Sequence, residues 1–159
     1  MKRLIVLALC LPLAACGFHP MYGPSLSPQL ASIYVEPVAE RDGYELRNTL
    51  IDLLGSNGEM RGKRYRLTLA LRESNQGVAL QSDAAITRYN DTLAASFVLA
   101  DMDGKTVIEG SQTGLTAYNV TASPYATLVA QQDADKRAAQ DIAERIRLDL
   151  AAFFRQKRP

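Results

Sequence analysis

The residue best placed to do chemistry in this chain is a cysteine. Leu13-Ala14-Ala15-Cys16 puts Cys16 directly behind two small side chains, after a start carrying Lys2 and Arg3 and a short apolar run from Leu4 to Pro12. A thiolate is a nucleophile, and small neighbours leave room for a processing enzyme. The run resembles the pattern read by lipoprotein-processing enzymes, and that resemblance implies alkylation of the sulfur by a diacylglycerol, cleavage before Cys16, and acylation of the freed amino group by a chain such as palmitate. Cys10, the other cysteine, follows Leu9 inside the apolar run and lacks the small residues. Once Cys16 is a thioether, no thiol or disulfide chemistry remains.

The other reactive types do not converge. The one histidine, His19, lies three residues beyond Cys16, on a stretch too loosely held for a base that must keep its geometry. Asp101 and Asp103 sit in a turn sequence, and Asp133 and Asp135 near a helix start, where the dipole favours acids. Gly55-Ser56-Asn57-Gly58 has neither a preceding strand nor a following Lys-Ser/Thr, so it is no phosphate loop. We therefore expect no enzyme, no catalytic residues, no metal ligands and no cofactor beyond the covalent lipid. One cluster suits binding. Arg61, Lys63, Arg64 and Arg66 precede or open one strand, and Arg88 opens the next. If the two strands pair, the five would form a phosphate-binding patch, since guanidinium forks match phosphate geometry. The competing reading is a strand edge blunted by charge. Arg155, Lys157 and Arg158 suit the end of a helix, and Tyr118, Val120 and Tyr125 flank a loop, as partner contacts or as the rim of the core.

The elements that must hold these residues follow from the pattern. Residues 1–15 read as a signal peptide whose apolar run is shorter than the roughly 20 residues a membrane span needs. Its last three residues with Cys16, Leu13-Ala14-Ala15-Cys16, closely resemble a lipobox. Gly17, where an Asp would favour inner-membrane retention, points to the outer membrane. Of 159 residues, 18 are basic and 17 acidic. Losing Lys2 and Arg3 leaves a net charge of −1, which argues against a nucleic-acid binder. Residues 16–31, with Pro20, Pro24 and Pro28, read as an extended lipidated tether. Residues 32–159 are long enough for a single domain with its own core.

Within the domain, 32–37 reads as a short strand. Asp42 and Glu45 resemble a capping box for a helix over 43–54, with Leu46, Leu50, Leu53 and Leu54 at helical spacing and Gly55 as its stop. Tyr65, Leu67, Leu69 and Leu71 alternate as the inner face of a strand over 65–72. A strand over 84–100 carries Leu93, Ala95, Phe97 and Leu99 on one face. The turn at 101–104 returns it as a partner strand over 105–117. Ser123 and Pro124 start a helix running to about 154, with Ala139, Ile142, Ile146, Leu150 and Phe153 as its stripe. The expected fold is α+β: a two-layer sandwich of order β-α-β-β-β-α. It has an approximately four-stranded mixed sheet with both helices on one face.

Cys16-Gly17-Phe18-His19-Pro20-Met21-Tyr22-Gly23 resembles the mature start of the LptE family of lipopolysaccharide-assembly lipoproteins. The resemblance continues in Tyr44-Glu45-Leu46-Arg47-Asn48-Thr49-Leu50, in Tyr65-Arg66-Leu67-Thr68-Leu69 and in Ile146-Arg147-Leu148-Asp149-Leu150. Pro20-Met21-Tyr22 departs from the Leu-Arg pair of the better-known branch. The resemblance implies the same sandwich and a β-barrel partner, LptD, which the domain plugs and stabilises. It implies lipopolysaccharide as the ligand of basic side chains, here Arg61, Lys63, Arg64, Arg66 and Arg88. It also implies a lipid-anchored position at the outer membrane, with the domain facing the periplasm and the barrel lumen. The alternative is a stand-alone periplasm-facing binding lipoprotein of another envelope or secretion complex.

Overall fold

Alternating and helical apolar patterns meet in one core. The computed structural model describes residues 27–80 and 86–157. The chain runs α1 (Ser27–Ala31), β1 (Ile33–Val35), α2 (Arg41–Leu54), β2 (Tyr65–Leu80), β3 (Ile86–Asp101), β4 (Thr106–Asn119) and α3 (Pro124–Gln156). The sheet order is β1-β2-β3-β4. β1 pairs with β2 in parallel, with α2 as the crossover, and β2, β3 and β4 form an antiparallel meander. The sheet is mixed and four-stranded with the helices on one face, as the sequence pattern predicts.

The inner face of the sheet supplies Ile33, Val35, Leu67, Leu69, Leu93, Ala95, Phe97 and Leu99 to the core. α2 adds Leu46, Leu50 and Leu54, and α3 adds Ala139, Ile142, Ile146, Leu150 and Phe154. Each large side chain fully buried here is worth about 1.5–3 kcal/mol, which is why the strand and helix phases are fixed. The expected stripe is present, with Phe153 partly buried beside it. Tyr65 and Phe154 close one end of the core, ring centroids 5.2 Å apart.

Several expectations need correcting. Residues 27–31 are not extended tether but one turn of helix. Pro28 is tolerated in a first helical turn, Leu30 is buried in the core, and Ser32 closes the turn on the Gln29 carbonyl through both its amide and its hydroxyl. The rest of the expected tether, 16–26, lies outside the described residues, as do the leader, Cys16 and His19. The Asp42/Glu45 capping box does not form. α2 starts at Arg41, and its N-cap is Glu40 at φ 67°, with no side-chain cap bond. Val38 packs so tightly on Gly43 that a Cβ there would lie 2.5 Å from Val38 Cγ1, so the approach to the helix is set by packing. Gly55, by contrast, ends α2 in the left-handed conformation, and Ser123 caps α3, accepting from the Ala126 amide at 3.4 Å.

β2 runs well past the expected end at Arg72. Glu73, Ser74, Asn75 and Gln76 are exposed yet keep pairing with β3. The antiparallel ladder continues to Leu80, through register shifts after Gly77, beyond the point where β2 buries apolar side chains. No described helix is long and apolar enough to cross a membrane.

Candidate functional site

The register disperses the expected five-cation patch. Arg66 faces Ala100 of β3, whereas Arg88 faces Ala79 and Asn119 twelve positions further back along β3. At about 3.3 Å per residue the separation is about 40 Å. Consecutive antiparallel strands start at opposite ends of a sheet, so cations opening both cannot gather.

The four near the start of β2 also differ among themselves. Arg61 and Arg64 are exposed. Lys63 is structural: its Nζ donates to the Ala31 carbonyl at 2.7 Å and to Ser56 Oγ at 2.9 Å. Ser56 Oγ in turn donates to the Ile33 carbonyl at 2.9 Å. Arg66 lies on the outer face of the sheet, where Glu36 pairs loosely with it at 3.5 Å while also accepting from Thr68 Oγ1 at 2.9 Å.

That outer face carries no covering layer among the described residues. Thr68, Ala70, Arg72, Ser96 and Val98 are exposed along it. By strand alternation Arg66, Arg72 and Arg88 are strung along this face rather than clustered. Near Arg88 it holds an open trough of about 590 Å³ lined by Ser74, Gln76, Asn90, Thr92 and Leu115. Leu115 is 73% exposed there.

The inner face holds polar groups that sequence reasoning missed. Beyond the apolar core, Glu73 of β2, Asp91 of β3 and Asp135 of α3 converge, one carboxylate oxygen of each within 4.8 Å of the others. Asp91 is 1% exposed and Asp135 8%. Burial, then Asp42, Asp91 and Glu73, push the Asp135 carboxyl up to about 7. Burial and Glu73 raise Asp91, and burial and Glu73 likewise raise Asp42. Tyr118, stacked on Tyr89 at 5.5 Å, is raised by burial first. The helix-dipole reading of Asp135 fails, because it lies on the inner side of α3 more than two turns in. Asp133 is exposed and pairs with Arg137. Asp101 is a turn former, its Oδ1 accepting from the amides of Asp103 and Lys105. Arg155 lies in the last turn of α3, and Lys157 sits 5.6 Å over the Phe153 ring. Val120 donates its amide to the Thr87 carbonyl, and Tyr125 is 76% exposed. Arg158 lies outside the described residues.

Comparison with known proteins adds the decisive observation. The family profile described as "LptE: Lipopolysaccharide-assembly" matches residues 30–150, from α1 through most of α3. The chain belongs to the LptE family. It is similar to the uncharacterized protein RP188 of Rickettsia prowazekii (strain Madrid E), 27% identical over 160 residues, spanning 99% of this chain and 100% of that protein. It also resembles the crystal structure of a lipoprotein candidate from Caulobacter crescentus CB15. The TM-score is 0.70 at 28% identity, with 84% of this chain and 98% of that one covered. A minor lipoprotein of Acinetobacter baumannii shares the fold, with TM-score 0.61 at 19% identity over 76% of this chain and 90% of that one.

For an LptE-family chain the matched span is the whole sheet with α2 and most of α3, so the family signal is a fold signal. It singles out neither the outer-face arginines nor the buried acids. A sequence cue for the acids does exist. Glu73 continues the inward phase of Leu67, Leu69 and Leu71. Asp91 continues that of Leu93, Ala95 and Phe97, and Asp135 that of Ala139 and Ile142. Three acids stand where three apolar stripes converge.

Proposed function

We propose that this LptE-family chain is the outer-membrane lipoprotein subunit of the lipopolysaccharide translocon. A thioether-linked diacylglycerol and an N-acyl chain on Cys16 hold it to the membrane. Several chains are needed, because a single one anchors only marginally. The domain faces the periplasm, occupies the lumen of an LptD-like β-barrel, stabilises it and helps pass lipopolysaccharide to the cell surface. Its work is assembly, without a catalytic step.

One observation carries this reading: the family match covers residues 30–150, directly downstream of a lipobox ending at Cys16. The bare outer face of the sheet supports it, with small and polar residues at Ala70, Ser96 and Thr68 available for contact. So do the guanidiniums of Arg66, Arg72 and Arg88, since Arg forks suit phosphorylated glycolipids.

The test is affinity capture of the acylated chain from detergent-extracted native membranes, with mass spectrometry of what comes with it. Co-purification of a large β-barrel protein is expected. A monomer with no barrel partner overturns the translocon reading in favour of a stand-alone binding lipoprotein. An unacylated mature terminus overturns the anchor.

A further inference from the structure

We propose that Glu73, Asp91 and Asp135 form a divalent-cation site, suited to Ca²⁺, that ties the sheet to α3. The three carboxylates come from β2, β3 and α3, and one oxygen of each lies within 4.8 Å of the others. That spacing is what oxygens around one hard cation require, because Ca²⁺ takes ligands at about 2.3–2.6 Å in an adaptable shell.

The second observation is unmet bonding capacity in the two buried members. Asp91 is 1% exposed and Asp135 8%. Asp91 Oδ1 and Asp135 Oδ1 are both buried without a hydrogen-bond partner. The other oxygen of Asp91 accepts a long bond, 3.4 Å, from Thr116 Oγ1 of β4, and the Asp91 carboxyl also faces the Thr92 amide and the Asp135 carboxyl. A buried carboxylate oxygen left without a donor is costly, and the carboxylates that converge here carry charge of the same sign. The ion pairs Arg66–Glu36, Arg137–Asp133 and Arg145–Asp141 lie elsewhere. The buried negative charge of Asp91 and Asp135 is left uncompensated. A dication removes it. Three carboxylates, with the Thr116 hydroxyl and water, complete a shell of 6–8 oxygens. Exposed Glu73 gives the ion its way in. An all-oxygen set favours Ca²⁺ or Mg²⁺ over Zn²⁺, and the irregular geometry favours Ca²⁺, because Mg²⁺ demands a near-ideal octahedron. A proton shared between Asp91 and Asp135 is the competing way to relieve the repulsion, and it would leave no role for a metal.

The experiment uses the full chain in detergent, stripped with chelator. CaCl₂ and MgCl₂ are titrated separately, followed by calorimetry and by thermal unfolding. We expect Ca²⁺ to bind with Kd at or below about 1 mM, the range of extracellular modules, and to raise Tm as binding to the folded state must. Asp135→Asn should remove the Ca²⁺-dependent rise in Tm. Glu73→Gln, at an exposed position that the fold does not need, should weaken binding about tenfold or more. If Asp135→Asn does not fold by circular dichroism, Glu73→Gln decides. Absence of binding up to about 10 mM Ca²⁺, beyond that range, overturns the site and leaves the shared proton. Unaltered binding by Glu73→Gln also overturns it, assigning the ion to other surface acids.

Discussion

Gly114 of β4 lies directly against the backbone of Ala138 in α3: a Cβ at Gly114 would stand 2.9 Å from the Ala138 carbonyl oxygen and 3.2 Å from its Cα. The obstacle is helix backbone rather than the end of a flexible side chain, so it cannot turn aside. α3 therefore rests on β4 at a separation only glycine permits. Gly114→Val should destabilise the domain by about 1–3 kcal/mol, the usual cost of overpacking, and denaturant midpoints will measure it. A substitution at Leu115, the exposed neighbour facing the other way, should change stability by less than about 0.5 kcal/mol.

Lys63 should behave unlike the cations around it. It bridges the last carbonyl of α1 and the Ser56 hydroxyl beyond α2. Lys63→Met removes a charged donor from two partly buried acceptors and should cost about 1.5–3 kcal/mol. Arg61→Gln and Arg64→Gln, both at exposed sites, should leave thermal unfolding nearly unchanged.

Stability of the cation-free chain should fall as pH rises. Asp135 binds its proton more tightly folded, at about 7, than unfolded, at 3.8. Its contribution is fully present below the unfolded value and lost as pH rises through about 7. Asp42 on α2 and Asp91 on β3, both raised by burial first, act in the same sense, while Glu73 on β2 faces Asp135 and helps push its carboxyl up. Melting curves in chelator should show a lower Tm at about pH 8 than at about pH 5, the slope of this linkage. Asp135→Asn should flatten that slope.

Charge reversal should separate the two ends of the sheet. We expect Arg64→Glu with Arg66→Glu to weaken lipopolysaccharide binding while leaving the domain folded. Arg88→Glu should have its own effect, and the two should add without coupling, as substitutions beyond about 10 Å apart do. A strong interaction between them in a binding cycle would mean that the ligand spans the whole face. Unchanged binding in every variant would return these arginines to plain surface.

The sequence made the sandwich readable where one face is buried. Leu67 and Leu69 on β2, Phe97 and Leu99 on β3, and Ile142 and Ile146 on α3 show their periods because water is excluded from one side only. From Glu73 to Val78 the β2 side chains are exposed and the inward positions Glu73 and Asn75 are polar, so without apolar alternation the strand is invisible although the ladder with β3 continues. The start of α2 was obscured for another reason. Asp42 and Glu45 have capping chemistry, but the tertiary contact of Val38 with Gly43 overrides the local signal. The cationic patch was misjudged because sequence proximity to strand starts says nothing until direction is known. The acid cluster was legible in principle, since Asp91 interrupts an inward apolar series, but an acid in that phase passes for an irregularity until three elements bring their acids to one point.

β1 is held to the sheet by three residues, Ile33, Tyr34 and Val35, paired with Tyr65, Arg66 and Leu67, whereas the meander is joined along most of its length. A pull applied on the N-terminal side of Ser27 therefore loads the weakest seam first. α1 and β1 should peel away while the meander and α3 hold, giving the domain a mechanical fuse on the side that leads toward Cys16.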